Sequence, residues 1–274
     1  VESILDNPEQ DRARVFLDTD AASKMGRMDE TEKRGLRRYL EARFSWVVSP
    51  LTFAELAIGR SRGTDWDKSS RGLHELGGQA DPPAFLPFPT RAVQLVVTGR
   101  ASPHLGWEPK DLERHLRAAV EARSRADMDR VLDSAFGKIM EEGETLHQER
   151  LEEARATTRA ANALTPAPER WAARVAAACV IEPTPEHLAA ILQATDASMR
   201  LDTFLWKESR NTKGHDFQKN VDDWVDSQQL LLLAFPDVHF LTADEKLRKK
   251  VEGSRQSHRV LSFEKARTAA GLLA

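Results

Sequence analysis

Four acidic residues stand at the ends or openings of apolar runs. Asp18 closes Val15-Phe16-Leu17, and Asp244 follows Val238-His239-Phe240-Leu241-Thr242. Glu55 lies one turn into a helical run that begins after Trp46-Val47-Val48-Ser49. Asp226 ends Val221-Asp222-Asp223-Trp224-Val225-Asp226, the opening of another helical run. In a parallel α/β sheet, ligands gather at the carboxyl ends of the strands. Carboxylates placed there repel one another unless a cation lies between them. An all-oxygen donor set of this kind suits Mg²⁺ or Mn²⁺. An ion held by three or four carboxylates activates water and neutralises charge on a phosphate under attack. The expected chemistry is metal-assisted hydrolysis of a phosphodiester, with Asp18, Glu55, Asp226 and Asp244 as catalytic residues and metal ligands. Asp20, Asp222 and Asp223 would join them directly, through water, or not at all. Asp222 and Asp223 read equally well as acids favoured by a helix N-terminus. Thr19 and Thr242 are candidates to hydrogen-bond and orient the carboxylates. Taken singly, each Asp also reads as a helix cap or turn former.

The elements that must position these acids follow from periodicity. Val15-Phe16-Leu17-Asp18 reads as a short buried strand and Trp46-Val47-Val48-Ser49 as a second. Helices are expected over 30–43, with Leu36, Tyr39 and Leu40 on one face, and from Pro50 to Gly59. This β-α-β-α order favours a parallel sheet with helices on its faces. Residues 61–106 carry Gly63, Gly72, Gly77-Gly78, Pro82-Pro83, Pro87 and Pro89 and read as loop. Within them Ala92-Val93-Gln94-Leu95-Val96-Val97 is either strand or helix start. From 108 to about 162 apolar residues recur at three- and four-residue spacing, including Leu112, Leu116, Val120, Met128, Leu132, Phe136, Ile139 and Met140. Two further helices are expected over 168–181 and 185–206. The α/β pattern then resumes, with helix over 220–235, strand over 238–241, helix over 244–252, strand over 258–261 and a short tail helix. The fold class is therefore α/β, with a core split in sequence between 1–60 and 210–274 and a loop-rich, helical insertion over 61–209. Each half offers only two clear strands, too few to bury its apolar faces, so one shared sheet is expected. The inserted helices are expected to shape substrate access or bind a partner, and to supply no metal ligand.

Four short motifs, in this order, carry a resemblance. Leu17-Asp18-Thr19-Asp20 resembles the strand-ending Asp-Thr-Asn of PIN-domain nucleases. Thr52-Phe53-Ala54-Glu55-Leu56 resembles their second motif, a helix carrying Glu before an apolar residue. Asp223-Trp224-Val225-Asp226 resembles the third, an acid opening an apolar helix, and Phe240-Leu241-Thr242-Ala243-Asp244 the fourth, a strand running into Thr-x-Asp. The resemblance implies a Rossmann-like three-layer parallel sheet and a Mg²⁺- or Mn²⁺-dependent ribonuclease, of a bacterial toxin or defence type. Two departures stand out. Asp20 occupies a position where Asn is common, and the chain places about 150 residues where compact members have a short helical segment, by the element reading.

Composition limits the alternatives. The chain has 274 residues, a formal net charge of -3 and 41% apolar residues, enough for a sizeable core. The single Cys179 permits no intrachain disulfide or cysteine-based zinc site and reads as a buried small side chain. No GxxxxGK[ST] or GxGxxG loop appears, nor a nucleophile elbow around Ser49 or Ser227. The eight histidines lack paired ligand spacing, and His239 alternates with apolar neighbours in a strand. A polar opening without a secretory leader and the lack of a membrane-length apolar run lead to a cytoplasmic expectation. Lys33-Arg34, Arg37-Arg38 and Lys246 with Arg248-Lys249-Lys250 are candidates to hold an RNA backbone, or equally a solvated helix face. RNA is the expected substrate, with DNA as the alternative. A second copy or an antitoxin-like protein is the expected partner for the helical insertion. The reading from a different class is a degenerate scaffold that binds RNA or protein without cutting it.

Overall fold

Val15 and Leu17 face one side of the first strand and Phe16 the other, and all three are buried. Period-two alternation with both faces buried is the signature of a sheet covered on both sides. In the computed structural model the described residues are 12–62, 66–78, 84–102, 109–132, 168–209 and 222–272. Strand β1 (Arg14–Leu17) pairs in parallel with β2 (Ser45–Trp46) on one side and β3 (Val238–Thr242) on the other. Strand β4 (Val260–Ser262) pairs in parallel with β3, giving one sheet of order β2-β1-β3-β4. Strands from both ends of the chain thus share one sheet. Phe16 and Phe240 lie opposite each other in register and stack with ring centres 4.8 Å apart. Cross-strand aromatic pairs of this kind help fix register.

Helices cover both faces. One face of the sheet, with Val15, Leu17 and Leu241, packs against α1 (Thr19–Arg27), α2 (Glu30–Glu41), α3 (Pro50–Arg62) and α4 (Trp66–Gly77). The same core takes Leu112, Leu116, Met128 and Leu132 from α6 (Pro109–Glu121) and α7 (Arg125–Leu132). The other face, with Phe16, Val238, Phe240 and Val260, packs against Ala92 of α5 (Pro89–Thr98) and against Leu201 and Leu205 of α10 (Asp196–Ser209). Leu230 of α11 (Asp222–Leu231) and Leu247 of α12 (Glu245–Lys250) complete it. A satellite core joins α5 to α8 (Pro168–Ala178) and α9 (Pro185–Ala194), and encloses Cys179, whose thiol burial pushes up to about 12. Helix α13 (Phe263–Ala269) closes the chain, capped by Ser262. The helices between β2 and β3 therefore pack on the sheet and on each other.

Several boundaries differ from the sequence expectation. Residues 61–106 hold two helices, α4 and α5, rather than loop. Helix α1, directly after β1, follows a run too short to show a period. The second strand shrinks to Ser45–Trp46, and Val48 makes an isolated parallel bridge to Phe85. The expected helix over 185–206 is two helices, broken at Thr195, whose hydroxyl donates to the Ile191 carbonyl and accepts from the Trp171 indole N–H. The helical run from 108 appears as α6 and α7, interrupted at 122–124, and Phe136, Ile139 and Met140 lie outside the described residues. Among the described residues no helix is long and apolar enough to cross a membrane.

Candidate metal centre

The strand order reverses between β1 and β3: β2 lies to one side of β1, and β4 to the far side of β3. A crevice opens beyond the carboxyl ends of adjacent strands at such a switch point. Asp18 follows β1 directly, and Asp244 lies two residues beyond the end of β3. Leu17 pairs with Leu241, so Asp18 lies level with Thr242 across the gap. The two acids are brought together by the sheet itself.

Asp18 is 7% exposed. It caps α1 by accepting from the Ala21 N–H, and it also accepts from the Ala243 N–H at 3.2 Å and from the Thr242 hydroxyl. Burial nevertheless raises its carboxyl to about 6, against the pull of those donors. Thr242 in turn accepts from the Asp244 N–H at 2.9 Å. Asp244 caps α12, accepting from the Lys246 N–H at 2.7 Å. Asp18 and Asp244 are thus both helix caps, the role that each acid taken singly also suggests.

Glu55 is held by a second network. Thr19 donates to its Oε2 at 2.5 Å and Gln229 of α11 donates to the same oxygen at 3.3 Å. The Gln229 amide also donates to the Thr52 hydroxyl at 3.3 Å, and Thr52 donates to the Leu17 carbonyl at 2.7 Å. Those donations fix the amide orientation, because a carboxylate only accepts and the Thr52 proton is already committed. Among the described residues the Gln229 Oε1 atom is then buried without a hydrogen-bond partner. The chain of bonds ties β1, α1, α3 and α11 around the carboxyl end of β1.

Asp226 has a different standing. It is the fifth residue of α11, caps nothing, and its carboxylate accepts no hydrogen bond among the described residues. Its carboxyl is held well above the ordinary carboxylate range. Withdrawal from solvent is the main cause, followed by the charges of Asp18, Asp223 and Asp244, while Lys250 pulls the other way. Asp223, one turn earlier, is 7% exposed and lies 3.3 Å from the Lys250 ammonium. Asp226 is therefore within electrostatic reach of Asp18, Asp223 and Asp244, and Glu55 is bonded to Thr19, the chain neighbour of Asp18.

The remaining candidates are peripheral. Asp20 points outward and pairs with Lys68 of α4 at 3.0 Å. The Asp222 side chain lies outside the described residues. The basic run at 33–38 is partly engaged: Lys33 and Arg37 converge on the buried Glu75, with Arg37 at 2.7 Å. His239 packs against Phe44, ring centres 4.9 Å apart. Thr52 and Gln229 lie among these acids without having been singled out from the sequence, whereas Lys250 belongs to the basic run expected to hold an RNA backbone. A signal existed for Thr52 and Gln229. Thr52 precedes Glu55 by three residues and Gln229 follows Asp226 by three, the spacing that shares one helix face.

Does a divalent cation suit these residues? The donors are hard oxygens, like charges gather around Asp226, and among the described residues a buried carbonyl oxygen of Gln229 stands unpartnered beside Glu55. Each feature is eased by an oxygen-seeking cation. Against this, no three His, Cys, Asp or Glu side chains among the described residues form a ready-made ligating group. Mutual repulsion registers over several ångströms, whereas ligation requires oxygens converging on one point at roughly 2.0–2.6 Å. Asp18 and Asp244 are turned onto helix N-termini, and Asp18 is further held by Thr242, so these acids do not form a ligating group in the conformation described. The donor atoms are of the type that a divalent cation takes.

No family model, curated protein or solved structure matches this chain.

Proposed function

We propose that the chain is a Mg²⁺- or Mn²⁺-dependent endoribonuclease of PIN-like type, hydrolysing RNA phosphodiester bonds at the carboxyl ends of β1 and β3. The observation that carries the reading is Asp226, a half-buried mid-helix acid whose carboxyl is raised by desolvation and by three neighbouring carboxylates, and which caps no helix. An acid so perturbed by desolvation and by named charged neighbours is a functional-site candidate, because active sites arrange burial and like charges to shift proton affinity. Asp18, Asp226, Asp223 and Asp244 would hold the ion, with Glu55 alongside. When bound, the ion supplies an activated water and neutralises charge on the phosphate. The chain's own residues set the geometry. Thr242 locks Asp18 against β3, while Thr19 and Gln229 lock Glu55 between α1 and α11. Ligands held this way keep their orientation because their partners sit on helices and strands rather than loops.

The test is cleavage of single-stranded RNA and DNA of matched sequence, with Mn²⁺ and with EDTA. RNA cleavage should require Mn²⁺. In Asp18→Asn it should fall about a hundredfold or more, the scale of losing several kcal/mol of charge stabilisation. Metal-independent cleavage, or full activity in Asp18→Asn, would overturn the reading. Cleavage of DNA alone would replace the substrate.

A further inference from the structure

Lys250 is the last residue of α12, the helix that Asp244 caps. The basic run around it divides by orientation. Lys246 and Lys249 are exposed, and Arg248 pairs with Glu245 at 2.6 Å and donates to the Val260 carbonyl. Lys250 instead turns towards the acids. Its ammonium lies 3.3 Å from Asp223 Oδ1 and 5.6 Å from the centre of the Phe204 ring, and its side chain is 19% exposed. Its charge reaches Asp226 as well.

A lysine ammonium is a compact charge on a flexible four-carbon stem and changes partners at little cost. Here it serves as counterion to an acid cluster. We propose that Lys250 is the phosphate-contacting residue of this site, held on Asp223 until a divalent cation takes over the acids, and then available to the backbone of a bound polynucleotide. This rests on the metal-dependent nuclease reading above. A purely structural Lys250 would only fasten α12 to α11. The two roles differ in sign. A counterion competes with Mn²⁺, so removing it tightens metal binding, whereas a structural brace keeps Asp223 in place, so removing it weakens metal binding.

The experiment uses the full chain with Lys250→Gln and Lys250→Arg. Mn²⁺ binding is measured by calorimetry without nucleic acid. Binding of a single-stranded oligoribonucleotide is measured against salt, in Ca²⁺ to keep the strand intact. Lys250→Gln should tighten Mn²⁺ binding about three- to tenfold, the effect of losing a nearby unit charge in a partly screened site. It should also lower the slope of log affinity against log salt by about 0.7, the loss of one phosphate contact on a single strand. Lys250→Arg should keep the full slope. Weaker Mn²⁺ binding in Lys250→Gln, or an unchanged slope, would overturn this inference alone. Failure of the unaltered protein to bind Mn²⁺ would overturn the metal reading and this inference with it.

Discussion

Asp226 stands in the second turn of α11, where an ionised carboxylate gains nothing from the helix dipole and loses hydration. Asp18 shares part of that penalty, its carboxyl raised to about 6 by burial. Both groups hold their protons more tightly folded than unfolded. Stability from them is therefore greatest below about pH 4, where both states are protonated. For Asp18 it falls as pH rises to about 6 and stays down above that. The penalty for Asp18 amounts to about 3 kcal/mol in full. For this stability effect Asn is a poor probe at position 18, since Asp18 accepts from both the Thr242 hydroxyl and the Ala243 N–H through one oxygen and the change would also cost hydrogen bonds. Asp226 has no such hydrogen-bond donors to lose among the described residues. Asp226→Asn should abolish cleavage yet raise the melting temperature of the metal-free protein at pH 7.5, on the order of 5 °C. The gap should close as pH falls, and calorimetry in EDTA across pH measures it. A lowered melting temperature at pH 7.5 would show that the Asp226 charge supports the fold. Asp18 and Asp244 were legible in the sequence because they punctuate apolar runs. Thr52 and Gln229 were not, because their bond joins positions 177 residues apart and depends on tertiary register.

Among the elements, α4 was misread, and the reason is packing. Gly72 and Gly77 look like breakers in sequence. In the fold Gly72 lies inside α4, where an added Cβ would sit 2.7 Å from Leu56 Cδ2 of α3. Gly26 of α1 is tighter still, because its Cβ would meet the Arg71 backbone oxygen at 2.7 Å. These glycines allow helices to approach closely, a role that propensity alone does not reveal. Gly26→Ala should therefore destabilise by about 1–3 kcal/mol, since overpacking against backbone outweighs the roughly 1 kcal/mol gain in helix propensity. Gly35→Ala is the control, meeting only the end of the Leu272 side chain at 3.0 Å, and should be neutral or stabilising. Urea midpoints compare the two. Equal effects would remove the close approach of α1 and α4 as the explanation. The strands were easier to read, since Val15-Phe16-Leu17 and Val238 to Thr242 are apolar runs of strand length in a sheet buried on both faces.

At the scale of the molecule, the parallel sheet brings acids from distant parts of the chain to one edge. The alternation of strands and helices made the parallel sheet legible. The order β2-β1-β3-β4, with its reversal between β1 and β3, was not, because pairing depends on contacts across the long segment between β2 and β3. That reversal sets Asp18 beside Thr242 and brings α11 with Asp226 over the same gap. The central claim is that these carboxylates hold a divalent cation. The most direct measurement is the anomalous signal of Mn²⁺ in crystals soaked at pH 7.5. A Mn²⁺ peak within about 2.0–2.3 Å of carboxylate oxygens of Asp18 and Asp226, absent in Asp226→Asn crystals, is the predicted result. No peak at this edge under saturating Mn²⁺, or a peak unchanged in Asp226→Asn, would contradict it.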